Sequence, residues 1–292
     1  MRLAFASLTL AVAAAANADM VVSQQNFNSM TLGNLSSDAT GTVAGQGGWY
    51  IFNSTTAAGQ ATGNFQVVND PNPTNSNGGP AHNGGQVLQM QAGTTATGNN
   101  VTRFAWNDDV FNTMSSNPAE NNLFVMTYDF YMDGGSATST NRYGNYIYDA
   151  TGAKILAGVT MQNNTGQFYI VGSYNNAGTI GNFAFSTGTA GLLQRNRWYT
   201  FAVTFDSVSG RFQGGFSTDG GATFSMFYVD GAAAGTQAGE YDLIGSANSG
   251  TAAQGTTLGF YDNISAYTTS TVPAPGALAL LGLAGLAGRR RR

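Results

Sequence analysis

Between its two ends the chain alternates with period 2 and hardly anywhere with period 3.6, and no other feature restricts its fold so tightly. From Leu123 to Met132, one face carries Phe124, Met126, Tyr128, Phe130 and Met132, and the other carries Leu123, Val125, Thr127, Asp129 and Tyr131. Tyr199, Phe201, Val203 and Phe205 alternate with Trp198, Thr200, Ala202 and Thr204, and Phe212 and Phe216 alternate with Arg211, Gln213 and Gly215. A last strand is expected over Thr257 to Tyr267, with Leu258, Phe260, Ile264 and Ala266 on one face. Weaker strands are expected at 49–52, 65–68, 86–91, 101–106, 143–149, 155–162, 167–172 and 223–230. About a dozen strands, each burying one face and separated by Gly/Asn/Ser/Asp turns, predict an all-β fold, an antiparallel β-sandwich or jelly roll.

Composition agrees. Forty glycines with only 9% charged residues suit short strands and many turns, and 18 Phe and 13 Tyr supply a large core. No cysteine is present, so stability rests on that core or on bound ions rather than disulfides. With Arg2 and the four terminal arginines set aside, six cations face fifteen anions, a balance of −9. Such a body does not attract nucleic acid, and it repels anionic polysaccharide unless divalent cations intervene. The loop Asp70 to Gly85 is the longest unpatterned stretch, and it reads as an excursion within one domain spanning residues 19–271.

Both ends read as export signals. Residues 1–18 have a cationic start at Arg2, an apolar stretch from Leu3 to Ala16, and an A-x-A cleavage site at Ala16 and Ala18. Residues 272–292 begin Val272-Pro273-Ala274-Pro275-Gly276, continue as an apolar run from Ala277 to Gly288, and end in Arg289, Arg290, Arg291 and Arg292. As a helix the run spans roughly 18 Å, short of the ~30 Å hydrocarbon core. It suits a temporary anchor better than a permanent one, with the arginines held on the cytoplasmic side. This order resembles the PEP-CTERM sorting signal of Gram-negative bacteria, although Ala274 stands where that signal has glutamate. The resemblance implies secretion, transient membrane insertion and removal of the tail by an exosortase. It also implies release to the cell surface, outer membrane or extracellular matrix. A plain membrane anchor is the alternative.

From Leu123 to Tyr267 the order of elements resembles a concanavalin A-like, laminin G-like jelly roll. The likeness is carried by Arg197-Trp198-Tyr199-Thr200-Phe201-Ala202-Val203-Thr204-Phe205-Asp206, by Gly210-Arg211-Phe212 and by Phe260-Tyr261-Asp262-Asn263-Ile264-Ser265.

Signs of catalysis are sparse. Glycosidases need two carboxylates across a sugar bond. The only glutamates, Glu120 and Glu240, lie in polar, loop-like stretches, and no E-x-D-x-x-E strand is present. The single histidine, His82, reads as a solvated residue of the glycine-rich loop, without a G-x-S-x-G elbow to serve. Ser217-Thr218-Asp219-Gly220-Gly221-Ala222-Thr223-Phe224 resembles an Asp-box hairpin, a structural device. Calcium takes oxygen ligands, for which Asp108-Asp109 and Asp262-Asn263 are candidates. The alternative for Asp262 is a bond to backbone amides or to Arg195 or Arg197. For sugar stacking the candidates are Tyr143, Tyr146, Tyr148, Tyr169 and Tyr174, interleaved with Asn141, Asn145, Asn175 and Asn176. The alternative is that these tyrosines pack at strand ends with only the hydroxyl wet. The expectation is a non-catalytic, lectin-like protein associated with exopolysaccharide. A calcium-dependent carbohydrate-binding module is the alternative, followed by a secreted polysaccharide-acting enzyme.

Overall fold

The computed structural model describes residues 20–53, 62–82, 85–92, 102–107, 122–134, 141–164, 167–176, 179–184, 193–230, 233–246 and 257–269. The export segments 1–18 and 272–292, Asp108, Asp109 and Glu120 lie outside them. In chain order the strands are β1 (Met20–Gln25), β2 (Gly33–Asn34), β3 (Trp49–Asn53), β4 (Phe65–Asn69), β5 (Gln86–Gln91) and β6 (Thr102–Asn107). They continue as β7 (Leu123–Met132), β8 (Arg142–Asp149), β9 (Ile155–Asn164), β10 (Gln167–Asn176), β11 (Thr179–Ala184) and β12 (Leu193–Gln194). The last are β13 (Trp198–Asp206), β14 (Arg211–Ser217), β15 (Ser225–Val229), β16 (Ala238–Ser246) and β17 (Leu258–Thr269).

These strands form two antiparallel sheets. The first runs β15-β14-β13-β7-β17-β5-β4-β2, with β1 added alongside β17. The second runs β11-β10-β9-β8-β16-β6-β3, with β12 against β10. The chain passes from sheet to sheet at β2–β3–β4, at β5–β6–β7–β8, at β12–β13 and at β15–β16–β17, so the fold is a jelly-roll sandwich.

The alternation explains the core. Phe124, Met126, Tyr128, Phe130 and Met132 of β7 point between the sheets and meet Tyr199, Phe201, Val203 and Phe205 of β13. Phe130 is its hub. Its ring meets Tyr261, Phe201 and Phe168 edge-on, with centroids 5.2, 6.1 and 6.1 Å away. Each such pair adds about 0.5–1.5 kcal/mol beyond area burial.

Two expectations about strands need correction. In β17, Phe260 and Ile264 do not share a face. A bulge between Asp262 and Ser265, with Asn263 at φ 49°, inserts an extra residue. Phe260 therefore packs outside the first sheet with Val87, Tyr131 and Trp198, while Ile264 and Ala266 enter the core. Glu240 is no loop residue either. It lies on β16, between β8 and β6 in the second sheet, because Tyr241 and Leu243 face the core and leave Glu240 and Asp242 on the opposite face.

The long loop joins β4 to β5, which pair with each other, and it folds back across the outside of the first sheet. Asn72 Nδ2 and Asn77 Nδ2 donate to the Asn196 carbonyl at 3.1 and 2.8 Å, and Trp198 N donates to Asn75 Oδ1 at 3.0 Å. The loop is thus tied to the start of β13. Among the described residues no helix is long and apolar enough to cross a membrane.

Candidate functional site

The outward face of the second sheet carries more aromatic surface than a sandwich needs on its solvent side. The β3 sequence Trp49-Tyr50-Ile51-Phe52 sends Trp49 and Ile51 into the core and leaves Tyr50 and Phe52 outside, half-buried. On β6, Ala105 goes inward and Phe104 and Trp106 go outward. Register pairs Tyr50 with Trp106 and Phe52 with Phe104. The Tyr50 and Trp106 rings lie 5.6 Å apart at 13°, and those of Phe52 and Phe104 6.3 Å apart at 25°.

Across the face, Ile244 of β16 pairs with Phe104, so the same ladder continued sets Asp242 beside Trp106. On its other side Asp242 pairs with Tyr146 of β8, and Glu240 pairs with Tyr148. Tyr146 and Tyr148 meet edge to face at 6.4 Å and 84°. One row therefore reads Tyr50, Trp106, Asp242, Tyr146, with Glu240 and Tyr148 in the next.

Two glycines shape this platform. A Cβ on Gly158 of β9 would sit 2.4 Å from Tyr146 Cδ1, so that ring lies over a strand position kept bare for it. A Cβ on Gly41 would sit 2.7 Å from Trp106 Cη2. Gly41 belongs to a turn organised by Asp38, whose carboxylate accepts from Thr40 N and Oγ1 at 3.0 and 2.6 Å, from Thr42 N and Oγ1 at 2.8 and 3.0 Å, and from Val43 N at 2.9 Å. Those bonds, led by that from the Thr40 hydroxyl, hold the Asp38 carboxyl far below the usual range. Trp106 thus rests against a tightly bonded turn.

The carboxyl pair is coupled. Burial pushes the Asp242 carboxyl well above its ordinary value, and the charge of Glu240 and a hydrogen bond with it push further the same way. Burial likewise raises the Tyr148 phenol, helped by the charges of Asp242 and Glu240. This is a ridge of half-buried aromatic rings around hydroxyl-binding oxygens, the chemistry of a polar ligand with apolar faces.

The tyrosines expected together separate. Tyr143 is fully buried on the core face of β8; its hydroxyl donates to the Thr257 carbonyl and accepts from Ala92 N at 3.0 Å. It is therefore a core residue and not a stacking platform. Tyr174 packs partly buried against the core. Tyr146 and Tyr148 are on the outer face, whereas Tyr169 is on β10 with its side chain outside what the structure describes. The asparagines serve the framework: Asn145 accepts from Tyr128 Oη at 3.2 Å, Asn141 donates to the Thr257 carbonyl at 3.2 Å, and Asn175 donates to the Ile155 carbonyl at 2.9 Å.

A second constellation lies on the outside of the first sheet, under the long loop. His82 is not solvated; its side chain is 4% exposed. Its ring stacks on Trp198 with centroids 4.0 Å apart. Its Nδ1 is 2.5 Å from Asp70 Oδ2, and its Nε2 is 3.5 Å from Asp129 Oδ2 and 3.4 Å from Asp262 Oδ2. Asn263, turned by the bulge, donates to Asp129 Oδ2 at 2.7 Å, and Thr200 donates to Asp129 Oδ1 at 2.6 Å. Burial opposes charge on His82, but hydrogen bonds to Asp129 and Asp70 and the nearby carboxylates outweigh it and carry the pKa up to about 9. The structure so unites Asp262 and Asn263, both expected as ligands of a cation, around a cationic imidazole. Among the described residues no three His, Cys, Asp or Glu side chains are arranged to hold a metal ion.

The Asp-box hairpin closes on itself. Asp219 accepts from Thr223 N at 2.9 Å and Thr223 Oγ1 at 2.7 Å, and Ser217 Oγ bonds Asp219 and Gly221 N. Its role is to turn β14 into β15.

Sequence reasoning missed Tyr50, Phe52, Phe104, Trp106 and Asp242. The signal was present: in Trp49–Phe52 and Phe104–Trp106 the residues expected to face water are aromatic rather than polar. It also missed the partners of His82, which are distant in sequence and share no local pattern.

No protein-family description and no curated protein matches the chain. Solved structures with similar chain paths are remote. A botulinum neurotoxin type C chain, whose cell entry depends on two ganglioside molecules, is 10% identical at a TM-score of 0.48, covering 91% of this chain and 51% of that one. The endo-β-1,4-glucuronan lyase of Trichoderma reesei is 13% identical at 0.46, covering 82% and 95%. The alginate lyase of Klebsiella pneumoniae is 8% identical at 0.44, covering 64% and 82%. This chain thus spans about half the length of the neurotoxin chain. At such distances function is read from this chain's own side chains.

Proposed function

We propose that the protein is an exported, non-catalytic β-sandwich that binds extracellular polysaccharide through the outer face of its second sheet. The observation that carries this reading is the row Tyr50, Trp106, Asp242, Tyr146. There, half-buried rings flank a carboxyl pair on the face of the second sheet opposite the core. Aromatic rings offer apolar faces for the C–H faces of sugar rings, and the carboxyl pair offers acceptors for hydroxyls.

The same pair argues against glycoside hydrolysis. That reaction needs carboxyl groups about 5–9.5 Å apart, on either side of the scissile bond. Glu240 and Asp242 instead bond each other, and the next outward position on the strand is Ile244.

Export and processing belong to the same proposal. The N-terminal leader sends the chain out, and the PEP-CTERM-like tail lodges in the inner membrane until an exosortase removes it. The product then remains at the cell surface or in the matrix of a Gram-negative bacterium. Intact mass of the exported protein tests this, since a mass that still includes Arg292 replaces sorting by plain anchoring.

Binding is tested by titrating the exported protein against a panel of polysaccharides, with and without calcium. Saturable binding that Trp106→Ala abolishes is the expected result. Binding unchanged in Trp106→Ala removes this face from the proposal, and loss on chelation assigns calcium a part in it.

A further inference from the structure

We infer that the outer face of the first sheet holds a second, separate site: a pocket beside the β13–β14 turn that takes a single pyranose unit, such as the end of a glycan chain. The inference goes beyond the polysaccharide-binding reading and does not depend on the face of the second sheet.

Alternation sets the walls of the pocket. Phe205 and Phe212 enter the core, so Thr204, Asp206, Arg211 and Gln213 stand on the outside of the first sheet. Register lines them up in two rows, Leu123, Asp206 and Arg211 in one, and Val125, Thr204, Gln213 and Tyr228 in the next. Among these side chains, with Ser209 of the turn at one end, lies a cavity of about 330 Å³. That is the low end of the roughly 300–1,000 Å³ usual for small-molecule sites, and it suits one sugar ring rather than a chain lying across it. Leu123 and Thr204 at its floor are buried, whereas Arg211 and Tyr228 at its rim are 46% and 64% exposed.

The polar groups are fixed before a ligand arrives. Arg211 Nε donates to Asp230 Oδ1 at 2.6 Å, and its guanidinium carbon lies 5.2 Å from the centre of the Tyr228 ring. The fork is thus held by one nitrogen, and both terminal amino groups are left to donate. Asp206 accepts from Val208 N at 2.9 Å and from Ser209 Oγ at 2.5 Å, which pins its carboxylate in the turn. Thr204 Oγ1 donates to Gln213 Oε1 at 3.4 Å and so leaves the Gln213 amide nitrogen as the donor. Donors on Arg211 and Gln213 therefore stand beside acceptors on Asp206 and Thr204. Neighbouring sugar hydroxyls, each donor and acceptor at once, satisfy that pattern. Leu123 meets the C–H side of the ring, and Tyr228 adds an aromatic edge at the rim. A bare anion fits poorly, because the one guanidinium is flanked by two carboxylates, Asp206 and Asp230.

The experiment titrates the methyl glycosides of glucose, mannose, galactose and xylose into the exported protein by ligand-observed NMR. Trp106→Ala, Arg211→Gln, Tyr228→Ala and Asp230→Asn are treated alike, and the polysaccharide panel is run beside them. Circular dichroism checks that each variant is folded. Expected is saturable binding of at least one glycoside that survives Trp106→Ala. It should weaken about tenfold in Arg211→Gln, through loss of a charged donor. In Tyr228→Ala and Asp230→Asn, which free the guanidinium from its supports, it should weaken several-fold. Polysaccharide binding should survive Arg211→Gln. Glycoside binding that is lost in Trp106→Ala and kept in Arg211→Gln places the single sugar on the second sheet and overturns the pocket. Polysaccharide binding without saturable binding of any glycoside overturns the pocket alone. Glycoside binding without polysaccharide binding supports the pocket and removes the second-sheet reading, and binding of neither overturns both.

Discussion

Asp129 and Asp262 stand directly opposite each other on β7 and β17, and His82 Nε2 lies 3.5 Å from one carboxylate and 3.4 Å from the other. Like charges at directly opposed strand positions repel. Here the repulsion is offset by an imidazolium delivered from a loop distant in sequence, and by Asn263, which the bulge turns toward Asp129. The long loop is therefore held to the first sheet through electrostatics as well as through its asparagines.

Replacing His82 tests that arrangement. In His82→Gln the imidazolium is gone, and the two opposed carboxylates lose the one positive charge between them while Asn263 and Thr200 go on donating to Asp129. Breaking a buried ion pair in this way costs about 3–5 kcal/mol. Urea denaturation should show a loss of that order, and adding Asp262→Asn to His82→Gln should recover part of it. A loss below about 1 kcal/mol would mean that the loop is held by its other contacts alone.

The same cluster sets a pH window. His82 has a folded pKa of about 9 against an ordinary 6.5, so its contribution is fully present below 6.5 and is lost as pH rises through 9. Asp70 and Asp129 have lowered folded pKa values. Burial opposes the shift, but hydrogen bonds from His82 and its charge outweigh it. Their contribution is present above the ordinary 3.8 and is lost as pH falls through the lowered values. Thermal melts across pH should therefore show a plateau between these limits and a fall of about 3 kcal/mol on the alkaline side. His82→Gln should remove the alkaline fall.

In the core, Phe130→Ala removes the ring that touches Phe168, Phe201 and Tyr261. A cavity between two sheets cannot collapse easily, and the expected loss is about 3–5 kcal/mol by chemical denaturation.

Much of the fold was legible because one face of most strands is continuously apolar. β5 runs over Gln86–Gln91 as the alternation requires, and β7 and β13 carry their aromatic residues inward as expected. β16 was obscured because Glu240 and Asp242 make a central strand look like a loop. Parity could have divided the tyrosines: Tyr143 shares its face with Asn145 and Ile147, and Tyr146 and Tyr148 share the other. The face change in β17 was not legible, since a bulge is set by pairing with β7 and not by the strand's own residues. Nor was the His82 cluster, whose carboxylates come from β7, β17 and the loop's own start.

Gly41 connects local backbone to the proposed binding face, and Gly41→Ala should affect both. Its φ of 76° lies in the left-handed region, so a side chain there costs about 1–2 kcal/mol. The added Cβ would also fall 2.7 Å from Trp106 Cη2, closer than carbon atoms approach, and the Asp38 turn is tied by five hydrogen bonds. The indole must then yield, leaving its near-parallel alignment with Tyr50. Gly41→Ala should lower the melting temperature by several degrees and shift tryptophan emission. It should also weaken polysaccharide binding several-fold while leaving the pH profile set by His82 unchanged. A variant that loses stability yet keeps full affinity would separate the turn from the binding platform, and Trp106 would then no longer be held in place by it.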